Sequence, residues 1–116
     1  DRLLVEQIKG RTERTGQYIL DVEHPHEDAN ALFVKARAAE EQGDLAGAEQ
    51  LYRRLMKVDR DDPVAPFNLG NVLRAMGRVV EVESAYRASV KADPNYAAAW
   101  YNLADVLDDQ NRAKEA

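Results

Sequence analysis

Cysteine is absent from this chain, so disulfides, thiolate metal ligation and cysteine nucleophiles are excluded. That absence fits a cytoplasmic protein. Histidine is scarce, with only His24 and His26. Together with Glu27 and Asp28 they have the donor types of a metal site. The setting, however, is a polar linker around Pro25, and no metal or other cofactor is assigned. Ser84 and Ser89 have no histidine near them in sequence, so a nucleophile–base pair has no support. No glycine-rich phosphate loop is present. The chain therefore reads as a protein without catalytic activity.

Other absences narrow the class of partner. No apolar run approaches the ~18 residues of a membrane-spanning helix, and no leader pattern is seen. Positive charge is in short supply. The net charge is −5, divided as −3 over 1–28, −1 over 29–62, +1 over 63–96 and −2 over 97–116. No segment carries the basic excess that phosphate backbones attract, which argues against direct nucleic-acid binding. With 45% apolar and 32% charged residues, 116 residues suffice for one soluble domain with a buried core. The chain begins at Asp1 without methionine and stops within a repeated unit, and is read as a piece of a longer protein.

What is present is an internal period. Laid on itself at an offset of 34, the stretch 29–62 matches 63–96 at Ala31/Ala65, Phe33/Phe67, Gly43/Gly77, Glu49/Glu83, Tyr52/Tyr86, Arg53/Arg87, Lys57/Lys91 and Asp59/Asp93. Residues 63–82 match 97–116 at seven of twenty positions, Asn68/Asn102 and Leu69/Leu103 among them. Ordinary residue frequencies give roughly two and one matches respectively. A fixed period of this size marks stacked units, none of which buries its apolar face alone.

Each unit reads as two amphipathic helices. Leu32, Phe33, Ala36 and Ala39 recur at helical spacing and stop at Gly43-Asp44, after which Leu45, Ala48, Leu51, Tyr52, Leu55 and Met56 resume it. The next unit breaks at Gly77-Arg78 and ends at Asp93-Pro94, where proline disfavours helix in the residue before it. The expected helices are 30–42, 45–58, 63–76, 79–92 and 97–110, with a break at 110–112 and the start of another helix beyond it. Short turns make successive helices antiparallel. Upstream, 2–9 reads as a short helix, 10–16 as a loop, 17–22 as an extended segment and 24–30 as a linker.

The pattern resembles the tetratricopeptide repeat (TPR) family, whose unit has 34 residues and the signature W-x2-L-G-x2-Y…A-x3-F…P. Trp100, Leu103, Ala104 and Ala116 carry it in the third unit, Leu69, Gly70, Tyr86 and Pro94 in the second, and Ala36, Ala48 and Tyr52 in the first. Lys35, Pro66, Val82 and Arg60 depart from it. The resemblance implies an all-α solenoid of antiparallel helix pairs, about two and a half repeats long, behind an irregular N-terminal flank. The units are 1–28 (flank), 29–62, 63–96 and the truncated 97–116. Trp100 is expected to be buried near Tyr86 or Val90. A shorter resemblance joins TGQYILDVE, at 15–23, and the linker after it to the segment that follows the DNA-binding part of MerR-like bacterial regulators.

The TPR resemblance further implies a protein or peptide partner, held in the concave groove lined by the first helix of each unit. By register the groove residues are Arg37, Phe67, Asn68, Asn71, Arg74, Tyr101, Asn102, Asp105, Asp108 and Asp109, with Val34 beside them. Asn68 and Asn102 offer amides that pair with peptide backbone whatever its sequence. Asp105, Asp108 and Asp109 crowd one face near a helix C-terminus, where like charge and the helix dipole are both unfavourable, so they suggest a site for a basic side chain. Arg37 and Arg74 are expected toward the opposite end. The family's carboxylate clamp, which grips chaperone C-termini, requires lysine, asparagine, asparagine, lysine and arginine. Here the places read Phe33, Arg37, Asn68, Ala98 and Asn102, which argues against that partner. Two other readings stay open: the sensor part of a bacterial transcription regulator, and a self-assembling segment that forms homo-oligomers through 1–28 or the C-terminal end, with Tyr101 and Leu107 exposed.

Overall fold

Two glycines set the architecture. Gly43 and Gly77 sit at φ of 81° and 77°, in the left-handed region that residues with a Cβ rarely adopt. Each lies just past the end of a helix. The amide after it reaches back to close the helix: Asp44 N donates to Ala39 O at 2.8 Å, and Arg78 N donates to Leu73 O at 3.0 Å. This is the Schellman arrangement, in which glycine lets the chain reverse and the last carbonyls keep partners.

The computed structural model describes residues 28–115, with side chains to Asn111. They form α1 (Ala29–Glu41), α2 (Leu45–Val58), α3 (Val64–Ala75), α4 (Val79–Ala92) and α5 (Ala97–Glu115). No strand occurs among the described residues. The expected helix 2–9, the extended segment 17–22 and both histidines lie outside them. Aspartates accept from backbone amides at three of the helix entries. Asp28 Oδ1 accepts from Asn30 N, Asp44 Oδ1 from Gly47 N, and Asp62 Oδ1 from Val64 N, at 3.0, 2.9 and 3.0 Å.

One boundary differs from expectation. The break at 110–112 does not form, and α5 runs without interruption to Glu115. Asn111 stands one period after Gly77 and two after Gly43. Asparagine lacks glycine's freedom at positive φ, and the arginine, alanine, lysine and glutamate that follow favour helix.

Helices pack in sequence order: α1 on α2, α2 on α3, α3 on α4, α4 on α5. The core is one continuous cluster. Tyr52 and Tyr86 are fully enclosed, surrounded by Leu32, Leu55, Leu69, Val72, Leu73 and Val82. Small residues admit these rings. Ala36 and Ala48 have no exposed surface. At Gly70, an added Cβ would lie 2.4 Å from Tyr86 Cε1. Glycine is therefore required here by space, not by φ. Ser89, also fully buried, donates to Pro63 O at 2.7 Å and ties the end of α4 to the entry of α3. Pro66, inside the first turn of α3, costs little because that turn's amides have no intrahelical partner.

Trp100 is not the buried residue that was expected. It is 48% exposed, and its Nε1 donates to Pro94 O at 2.7 Å. No element among the described residues covers its outer face, so its ring lies against the chain just before α5 instead of entering the core.

Between α2 and α4 runs a ring of four charges. Arg78 Nη1 donates to Glu49 Oε1 at 2.6 Å and Arg78 Nη2 to Glu81 Oε2 at 2.5 Å. Arg53 closes the ring with Glu49 at 3.0 Å and Glu81 at 3.2 Å. The Arg78 guanidinium holds the Glu49 carboxyl below the usual carboxylate range, against the opposing effect of desolvation. A lowered folded-state value stabilises above the unfolded value, near ~4.3, and that contribution is lost as pH falls through the folded value. We therefore expect stability to drop as pH falls below about 4.5, and Glu49→Gln to flatten that part of the curve. Being solvent-screened, the effect at neutral pH is about 0.5 kcal/mol. Urea denaturation across pH 3–7 checks it, and identical pH curves for the two proteins would refute the assignment.

Candidate peptide-binding face

The first helices α1, α3 and α5 share one side of the array, and the ten residues assigned to a groove all lie on them. The structure joins five of those ten directly and separates others.

At the centre is a polar layer. Asn71 Oδ1 accepts from the Tyr86 hydroxyl and from Asn102 Nδ2, the latter at 3.2 Å. Asn102 Nδ2 also approaches the Tyr86 hydroxyl at 3.5 Å. Burial raises the pKa of the Tyr86 phenol, so it stays a neutral donor. Tyr52, one period earlier, donates instead to Glu40 and is likewise pushed up, first by burial and then by that carboxylate. The tyrosine hydroxyls were not among the sequence-assigned groove residues. Their signal was present in the shared register of Tyr52 and Tyr86, each long enough to reach a polar group on its own unit's first helix.

Asn68 is different. It is 8% exposed, and its side chain makes no hydrogen bond among the described residues. No described side-chain nitrogen or oxygen is both sealed from solvent and unpaired. The Asn68 amide therefore keeps a narrow opening to water, with its donor and acceptor capacity unspent.

Arg74 does not lie opposite the aspartates, contrary to the sequence expectation. Its Nη2 donates to Asp105 Oδ2 at 2.6 Å and to Asp109 Oδ2 at 3.4 Å, bridging α3 and α5. The first of these pairs raises the Arg74 pKa further. The crowding of Asp105 and Asp109 is thus offset from the neighbouring unit, which sequence spacing within one helix does not reveal. Asp108 stands on the same helix, exposed. Arg37 lies at the other end, 3.6 Å from Glu40.

The aromatics divide as well. Phe67 is half-buried, with ring centroids 5.9 Å from Tyr86 and 5.5 Å from Tyr96, the second edge-on. It serves as packing between units more than as open groove wall. Tyr101, its counterpart one period on, is 77% exposed, and Val34 is 65% exposed. Leu107 is half-buried against the core. Among the described residues no helix is long and apolar enough to cross a membrane, and no cluster of three metal-ligating side chains occurs.

Comparison with known proteins agrees with this geometry. No curated protein matches the chain. A family model described as tetratricopeptide repeat matches residues 18–66 and 67–116. Repeats of this kind generally mediate protein–protein interaction and are typically non-catalytic scaffolds. Two matches that together take in most of the sequence, over helix pairs that stack in register, place this chain in the tetratricopeptide repeat family.

Proposed function

We propose that the face formed by α1, α3 and α5 binds an extended peptide segment of a partner protein, with Asn68 and Asn102 holding its backbone. The observation that carries this is the Asn68 amide. It makes no hydrogen bond among the described residues and reaches solvent only through a narrow opening, so its donor and acceptor are available to a ligand. Peptide backbone supplies both complements. Asn102 is already oriented by Asn71, so it presents its remaining amide capacity in a fixed direction.

Charge sets the polarity of the ligand. Arg74 pairs with Asp105 and Asp109, so one cation there faces two carboxylates. A basic ligand residue joins that group beside Tyr101. Arg37 lies at the other end, where it accepts an acidic residue. Such complementarity governs orientation and association rate more than affinity.

A peptide-library screen on the chain tests the reading. Selected peptides should carry a basic bias, and Asn68→Ala should weaken them by about 1–3 kcal/mol, roughly 5- to 150-fold. Asn102→Ala should cost less, because it also frees the Asn71 carbonyl for water. Selected peptides without basic bias that bind Asn68→Ala as well as the parent would remove the groove reading.

A further inference from the structure

On the opposite side of the array, a cleft of about 680 Å³ opens between the C-terminal ends of α2 and α4. Met56, Pro66, Ala88 and Ala92 give it an apolar floor. Lys57, Arg60 and Lys91 stand around it. Its size falls within the range of ligand sites.

The internal period explains why it is open. Pro66 stands 34 residues before Trp100, so the second unit has a short ring where the third has an indole. The walls from the preceding second helix and turn correspond, while the α4 wall of Ala88 and Ala92 has no counterpart beside Trp100 among the described residues. Trp100 donates through Nε1 to the carbonyl of Pro94. The residue one period before Pro94 is Arg60, which lines the cleft, and its carbonyl accepts no hydrogen bond from the described residues. The second unit thus has the acceptor and the space for an indole, without the indole.

We infer that this cleft is a second docking site, which takes a tryptophan side chain from a partner polypeptide. The ring would lie against Met56 and the Cβ atoms of Ala88 and Ala92, and its N–H would donate to the Arg60 carbonyl. Tryptophan suits such a place, combining a large apolar area with one donor, and it is enriched among residues that dominate interfaces. Lys57, Arg60 and Lys91 form no ion pair among the described residues, and Asp59, Asp61 and Asp62 on the same rim balance their charge. The cations favour the face of an aromatic ring.

Isothermal titration of the chain with a capped peptide, one tryptophan between pairs of glycines, tests this. Trp100 fluorescence would confuse an optical readout. We expect saturable binding that weakens at least about tenfold when alanine replaces the peptide tryptophan. Pro66→Trp fills the cleft from within and should abolish binding while the helical circular dichroism is retained. Should that variant misfold, the exposed double change Lys57→Glu/Lys91→Glu leaves the core intact and should weaken binding by a similar factor. Asn68→Ala, which impairs the first-helix face, should leave it unchanged. No binding, equal binding of the alanine peptide, equal binding by folded Pro66→Trp or by Lys57→Glu/Lys91→Glu, or loss of binding in Asn68→Ala would overturn the inference.

Discussion

Replacing Tyr86 with alanine should lower the free energy of unfolding by about 3–5 kcal/mol. The ring is fully enclosed between α3 and α4, so truncation leaves a cavity that neighbouring side chains fill only in part. It also removes a donor from Asn71. Against a domain stability of about 5–15 kcal/mol, that loss is enough to populate unfolded chains at room temperature. Tyr86→Phe separates the two contributions. It keeps the packing and removes the hydroxyl, and should cost about 1 kcal/mol. Guanidinium denaturation of both variants reads the difference. A loss below about 1 kcal/mol for Tyr86→Ala would mean that the ring is not a core element.

Valine at Gly70 should be comparably damaging, by about 2–4 kcal/mol, through excess volume in place of lost volume. The first added carbon would sit 2.4 Å from Tyr86 Cε1 and 2.6 Å from Cδ1, and the enclosed ring has no free space into which to turn. The helices α3 and α4 must separate. Alanine is the milder probe, since its helix preference, worth about 0.5–1 kcal/mol over glycine, offsets part of the clash. The informative measurement is the cycle with Tyr86→Ala. With the ring gone, Gly70→Ala should become neutral or stabilising, so the coupling energy differs from the zero of simple additivity. Additive losses would show that glycine is required here for some reason other than Tyr86.

The repeat made most of the fold legible. Four of the five helices end within one residue of the positions read from apolar spacing and the glycine breaks, because those signals are local. Where they failed, the deciding term was not local. Asn111 sits where a turn was expected, but only glycine makes that turn at little cost, so α5 continues. Trp100 occupies a position read as core, yet burial depends on a neighbour that no described residue supplies. On the candidate face, the residue identities were legible and their pairing was not. Arg74 meets Asp105, and Asn71 meets Asn102, each across a separation of 31 residues. That interval is one repeat less three residues, so it shifts the contact by about one turn of the neighbouring first helix. It was hidden because spacing rules within a helix compare residues three or four apart. The unpaired state of Asn68 was equally invisible, since it depends on what fails to approach it.

The two joints between successive units are fastened on opposite sides. The Glu49–Arg53–Arg78–Glu81 ring clips α2 to α4, whereas Arg74 with Asp105 and Asp109, and Asn71 with Asn102, clip α3 to α5. A joint yields most easily away from its clip. The first therefore opens by parting α1 from α3, whereas the third unit has no second helix among the described residues to part from α4. A segment wedged along α1 and α3 spreads a joint that is free to spread, while farther along the same face it meets one already locked.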